Sequence, residues 1–130
     1  MKERKKLTEL EAIEYLIQIL NGFKTLVKYK IMHRDFKLAN LMKHNNSVKI
    51  ADFGFSKILD NDSKTDTMLG SPLNMAPEIL NGDSYDNKAD IWSLGTVFYE
   101  MLFGKPPFVA SNIIDLLKNI KNKPLEIPRK

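Results

Sequence analysis

The chain has 130 residues, of which 43% are hydrophobic and 28% charged, and it contains no cysteine. These fractions are those of an ordinary globular domain, and the absence of cysteine excludes disulfides, thiolate metal sites and thiol nucleophiles. The net charge of +4 comes from basic clusters near both chain ends that lack interleaved aromatic residues, so we expect no nucleic-acid partner. The most apolar stretch, residues 91–103, is interrupted by Glu100 and is too short to span a bilayer. No secretory segment follows the charged start, and we therefore expect a cytoplasmic protein.

The first predicted element is a long amphipathic helix. Residues 8–11 read TELE, which matches a capping box, and apolar residues follow at helical spacing to about Tyr29. Two short strand-like segments, residues 41–43 and 48–51, flank a stretch rich in turn residues and predict a β-hairpin.

The second half of the chain is predicted to be helical. Residues 60–67 are polar and aperiodic, as in a surface loop. Residues 87–103 predict a helix buried on most sides, which we expect residues 105–107 (KPP) to stop. Ser111 can cap a last helix. Since neither a repeat nor a linker is visible, the sequence predicts one mainly α fold with a short β-hairpin.

Four short motifs carry the chemistry. Residues 33–40 read HRDFKLAN and fit H-R-D-x-x-x-x-N, the catalytic loop of protein kinases. Residues 52–54 read DFG, residues 76–78 read APE, and residues 90–95 read DIWSLG. In this order the motifs resemble a eukaryotic protein kinase of the serine/threonine type, represented by its C-terminal (helical) lobe. Residues 52–55 and 70–73 look most like the autophagy-initiating kinase group.

The resemblance implies a site for ATP and Mg²⁺. Asp35 would accept or orient the proton of the attacking hydroxyl, and Lys37 would place an ammonium against the transferred phosphate. Asn40 and Asp52 are hard oxygen ligands suited to magnesium. In the predicted hairpin the chain leaves Asn40 along one strand and returns to Asp52 along the next, about 4.8 Å away. The side-chain oxygens of Asn40 and Asp52 therefore lie on one rim of the hairpin.

Further residues receive roles from the resemblance alone. Met42, beside Leu41, would lie beneath the adenine of ATP. In serine/threonine members of the family, the hydroxyl at the position of Ser71 bonds the catalytic aspartate and lysine. Asn74 stands where the family usually has an aromatic residue, which puts the packing of the substrate-positioning loop in question.

An activating phosphorylation site is expected at Thr67, three residues before Gly70. Arg34 and Lys57 match the family's cationic partners of that phosphate. A phosphate adds a charge of about −1.5 to −2 and three acceptor oxygens, which suits it to tie the loop to both cations. His33 is expected to pack and to form hydrogen bonds, and Phe53 is expected to pack under the helical lobe.

No glycine-rich phosphate loop and no V-A-I-K lysine precede Thr8 in these 130 residues. We therefore expect residues 1–130 to be a partial kinase domain without the nucleotide-binding lobe and the final helices, inactive alone. Its expected partners are ATP, a protein substrate with a serine or threonine acceptor and regulatory proteins. The alternative is a noncatalytic kinase-lobe module that binds other proteins.

Overall fold

The computed structural model of the protein describes residues 6–58 and 71–129. The helices in these two ranges are α1 (Glu9–Lys28), α2 (Pro77–Leu80), α3 (Lys88–Phe103) and α4 (Ile113–Asn122). The strands in the same ranges are β1 (Ile31–Met32), β2 (Leu41–His44), β3 (Ser47–Ile50) and β4 (Lys57–Ile58). Two 3₁₀ turns, Leu38–Asn40 and Pro72–Asn74, complete the described elements. The fold is mainly helical with small antiparallel strand pairs, which confirms the predicted fold class.

Helix α1 begins with the predicted capping box. The amide of Glu11 donates to the Thr8 hydroxyl, and the Glu11 carboxylate accepts from the Thr8 amide at 2.9 Å. These two bonds satisfy backbone groups that the first helical turn leaves without partners. One face of α1 is buried against α3 and the strands. Its buried side chains are Ala12, Tyr15, Ile19, Phe23 and Leu26.

The predicted hairpin is formed by β2 and β3, with Leu41 opposite Ile50 and His44 opposite Ser47. Gln18 of α1 holds its turn end, because its side chain donates to Asn46 O at 3.0 Å and accepts from the Val48 amide at 2.7 Å. A second antiparallel pair, β1 with β4, was not predicted. Each of its strands has only two residues, too few to show an alternating pattern.

Helix α3 packs between two hydrophobic clusters. One cluster joins α3 to α1 through Leu94, Val97 and Met101, and the other joins it to α2 and α4. A helix with neighbours on several sides carries apolar residues over most of its surface, which explains the broad apolar pattern of residues 87–103.

The predicted end of helix α3 at residue 103 is confirmed, but Gly104 rather than residues 105–107 stops the helix, because Gly104 adopts a left-handed conformation (φ 74°) and its amide donates to Glu100 O at 2.8 Å. The predicted cap of the last helix is wrong. Helix α4 is capped by Asn112 rather than Ser111, because Asn112 Oδ1 accepts from the Asp115 amide at 2.8 Å. The predicted loop at residues 60–67 lies outside the described residues. Among the helices in residues 6–58 and 71–129, none has the length and apolar character needed to cross a membrane.

Candidate active site

Three predicted site residues meet at the loop between β1 and β2: two lie on this loop, and the third, Ser71, comes from the segment before the turn Pro72–Asn74. The Asp35 carboxylate is buried, and its Oδ1 accepts from the Ser71 hydroxyl at 3.3 Å. Lys37 Nζ lies 3.6 Å from Asp35 Oδ2 and donates to Ser71 Oγ at 3.1 Å. Asp35, Lys37 and Ser71 therefore form one cluster, although Ser71 is 36 residues from Asp35.

Asn40 joins this cluster from the adjoining 3₁₀ turn. Its Nδ2 donates to the main-chain oxygen of Asp35 at 2.8 Å and to Asp35 Oδ2 at 3.2 Å. Both bonds use the amide nitrogen, so the amide oxygen of Asn40 is the atom that remains to coordinate a cation.

The hairpin places Asp52 beside Asn40. The Ala51 amide donates to Asn40 O at 2.8 Å, which extends the ladder one step beyond the pair Leu41–Ile50. Asp52 follows directly, is exposed, and has a left-handed backbone (φ 59°), a conformation that aspartate adopts more often than most residues. Its Oδ1 accepts from the Gly54 amide at 3.3 Å, and a Cβ at Gly54 would lie 3.2 Å from the same oxygen. Glycine thus leaves room for the carboxylate.

The donor set fits magnesium. Mg²⁺ prefers hard oxygen ligands and commonly takes one or two carboxylates together with phosphate oxygens. The Asn40 amide oxygen and the Asp52 carboxylate could supply the protein part of such a shell from one rim of the hairpin.

His33 connects the catalytic loop to the strand that leads to Asp52. The Asp35 amide donates a hydrogen bond to His33 Nδ1 at 3.2 Å, so the ring proton lies on Nε2, which donates a hydrogen bond to Ala51 O at 2.8 Å. The ring is fully buried, and the exposed Phe53 ring contacts it edge-on at 4.9 Å between centroids. Histidine here is a packed, hydrogen-bonded link between the two loops.

Asp90, in the first turn of α3, fixes the start of the catalytic loop. Its carboxylate accepts from the His33 amide at 2.7 Å and from the Arg34 amide at 3.1 Å. Arg34 has a left-handed backbone (φ 66°), which these bonds hold in place. Burial raises the pKa of Asp90, while the two backbone hydrogen bonds and the nearby Arg34 guanidinium lower it in part. The desolvation of this buried carboxylate is thus partly offset by the hydrogen bonds that hold the start of the loop carrying Asp35.

The remaining predicted site residues lie outside the Asp35 cluster. Met42 is 59% exposed on β2, next to the buried Leu41. Arg34 Nε donates to Phe55 O at 2.6 Å, and Lys57 is exposed on β4, opposite Met32. Thr67 lies outside the described residues.

Sequence reasoning missed the buried polar group that anchors the turn Pro72–Asn74. The packing of this turn, which the sequence left in question at Asn74, is secured in the structure because Asn74 is buried and bonded to Thr96 and Ser93 of α3. The signal was present in the sequence: Asp90, Ser93 and Thr96 are polar residues at three-residue spacing in a mainly apolar helix.

Comparisons with known proteins find similarity along nearly the whole chain. The family model described as protein kinase domain matches residues 1–129. The serine/threonine-protein kinase atg1 of Dictyostelium discoideum is 45% identical over 132 residues, covering 98% of this chain and 20% of the relative. The serine/threonine-protein kinase ATG1 of Eremothecium gossypii is 41% identical over 147 residues, covering 95% of this chain and 15% of the relative. The serine/threonine-protein kinase plk-2 of Caenorhabditis elegans is 41% identical over 128 residues, covering 98% and 20%. The chain thus spans a fifth or less of the length of these relatives.

Proposed function

Because this chain belongs to the protein kinase domain family, we propose that its Asp35 cluster transfers the γ-phosphate of ATP to serine or threonine hydroxyls of protein substrates. The observation that carries the proposal is the meeting of Asp35, Lys37 and Ser71 within hydrogen-bond or ion-pair distance. Phosphoryl transfer requires positioning and charge neutralisation more than covalent chemistry, and this cluster offers both.

Each side chain of the cluster has a distinct task. The Asp35 carboxylate orients the acceptor hydroxyl and takes its proton as the new oxygen–phosphorus bond forms and the bond to the β-phosphate oxygen breaks, releasing ADP. The Lys37 ammonium stabilises the negative charge on the transferred phosphoryl oxygens. The Ser71 hydroxyl bridges the two and holds the loop that presents the substrate next to Asp35.

Asn40 and Asp52 would hold Mg²⁺. Held there, Mg²⁺ would supply positive charge that offsets the negative charge developing on the phosphate oxygens. The contribution of the chain is to hold both oxygen ligands at the end of one hairpin, with Asn40 also bonded to Asp35.

Two further roles extend the proposal beyond the cluster. The exposed side chain of Met42 would cover one face of the adenine, at the same hairpin that carries Asn40. Arg34 and Lys57, which lie on neighbouring segments near β1 and β4, would bind a phosphate on Thr67. Arg34 would then exchange its bond to Phe55 O for a charge-assisted bond to the phosphate.

The experiment is a transfer assay with Mg²⁺-ATP and a serine- and threonine-containing peptide. The chain is joined to a nucleotide-binding lobe to complete the kinase domain and is compared with Asp35→Asn. We expect transfer that falls by at least about a thousandfold in Asp35→Asn, since the variant keeps the shape of the side chain but removes the proton acceptor.

The matched control is Asp83→Asn, the same substitution at an exposed aspartate whose carboxylate accepts from the nearby Asn81 side chain. This variant should retain parental transfer. A folded, complete domain that transfers equally well with Asp35→Asn, or that shows no transfer at all, would refute the proposed function. The 130-residue polypeptide assayed alone should give no appreciable transfer, because it contains no glycine-rich loop to hold the phosphates.

A further inference from the structure

The turn Pro72–Asn74 is attached to α3 by a buried polar link. Asn74 is 9% exposed, and its Nδ2 donates to Thr96 Oγ1 at 2.8 Å. In the opposite direction, the Ser93 hydroxyl donates to the main-chain oxygen of Asn74 at 2.6 Å. One residue of the turn is thus bonded to α3 through both its side chain and its backbone.

The two α3 residues that bond Asn74 are also hydrogen-bonded to each other. The Thr96 hydroxyl donates to the main-chain oxygen of Ser93 at 2.7 Å, and both Thr96 and Ser93 are buried. Each hydroxyl therefore has a partner away from water, and buried networks that are fully bonded are rigid.

The turn carries this rigidity to Ser71. The Asn74 amide donates to Ser71 O at 3.0 Å, so Ser71 is bonded through its backbone to the residue that α3 holds. The Ser71 side chain contacts Asp35 and Lys37. A displacement of Asn74 would accordingly shift Ser71 relative to Asp35 and Lys37.

The same helix, α3, also anchors the loop that carries Asp35. Asp90, Ser93 and Thr96 follow one another at intervals of three residues, which places neighbouring members on one side of a helix. Asp90 binds the amides of His33 and Arg34, whereas Ser93 and Thr96 bind Asn74. The helix therefore fixes the separation between the loop that carries Asp35 and the loop that carries Ser71.

We propose that Asn74 is a positioning residue, which with Thr96 keeps the Ser71 hydroxyl on Asp35 and Lys37. The inference rests on the proposed function and adds a residue that touches neither ATP nor substrate. The polar pair Asn74–Thr96 takes the place of the aromatic residue that the family usually has at position 74. Loosening it moves Ser71 away from Asp35, so the rate of the chemical step falls while binding of ATP is unaffected.

The test compares three single substitutions in α3, two of which remove a hydroxyl and one of which keeps it. Thr96→Val has nearly the shape of threonine but cannot accept from Asn74, and Thr96→Ser keeps the hydroxyl. Tyr99→Phe is the matched control, because the buried Tyr99 also donates one hydroxyl hydrogen bond, to Glu126 O at 2.6 Å, away from the Asp35 cluster.

The first readout is amide hydrogen exchange at Asn74 in the 130-residue chain. Exchange should be about tenfold faster in Thr96→Val, as expected from losing one buried hydrogen bond, and close to the parent in Thr96→Ser and Tyr99→Phe. Unchanged exchange in Thr96→Val would overturn the inference.

The second readout is transfer by the completed kinase domain. Thr96→Val should lower kcat by about tenfold to a hundredfold with an unchanged KM for ATP, and adding Asn74→Ala should lower it no further. A parental kcat in Thr96→Val, or an equal loss in Tyr99→Phe, would contradict a positioning role. A parent domain without Asp35-dependent transfer would refute the proposed function instead, and the exchange measurement would still decide whether Thr96 holds the turn.

Discussion

Replacing Asp90 with asparagine tests how strongly the catalytic loop depends on α3. The Asp90 carboxylate accepts from two amides, at 2.7 Å from His33 and 3.1 Å from Arg34. Asparagine keeps one acceptor oxygen but turns an NH₂ group toward the second amide, which then has no acceptor. A hydrogen bond to a charged group contributes about 1.5–3 kcal/mol, so the free energy of unfolding should fall by about 2 kcal/mol.

The same loss should appear locally in amide exchange. Since 1.36 kcal/mol corresponds to a factor of ten, about 2 kcal/mol predicts roughly 30-fold faster exchange at His33 or Arg34. The measurements are denaturant unfolding of the chain and residue-resolved exchange, with Asp83→Asn as the control. If Asp90→Asn unfolds like the parent and both amides keep their protection, the carboxylate does not hold the loop and the reasoning is wrong.

Two further predictions concern charge. Burial raises the pKa of Glu100, so the folded chain keeps the carboxyl proton to higher pH than the unfolded chain does. The folded state is therefore stabilised by this proton below the ordinary pKa of 4.5, and that stabilisation is lost as the pH rises through the raised pKa. Glu100→Gln should therefore be more stable relative to the parent at pH 7 than at pH 4 in denaturant unfolding, and an identical difference at both pH values would refute this. In the completed kinase domain, Thr67→Ala and Arg34→Ala should each lower activity by about tenfold, because both remove the proposed contact between phosphate and guanidinium. Full activity in both variants, with equal protease resistance of the loop whether or not it is phosphorylated, would show that this switch does not exist.

Features encoded by neighbouring residues were predictable from the sequence. The capping box at Thr8 and the turn-rich residues between β2 and β3 act over a few positions, so α1 and the hairpin could be located. The hairpin in turn explained why Asn40 and Asp52 reach one rim although they are twelve residues apart in sequence.

Features that depend on tertiary contacts were not predictable from local patterns. The pairing of β1 with β4 involves two residues on each side and has no periodicity of its own. The bond between Asn74 and Thr96 joins residues 22 positions apart, and an asparagine in a turn ordinarily indicates exposure. The contact between Ser71 and Asp35 was expected only from resemblance to the kinase family, since no spacing rule relates the two residues.

A double-mutant cycle on kcat of the completed kinase domain distinguishes whether Asp35 and Ser71 act as one catalytic unit, as proposed, or independently. Groups that act together in one step have strongly non-additive effects. We predict that Asp35→Asn alone removes nearly all transfer, that Ser71→Ala lowers it by a smaller factor, and that the double variant is no slower than Asp35→Asn. Multiplicative losses in the double variant, or Asp35→Asn activity near that of the parent, would contradict the account.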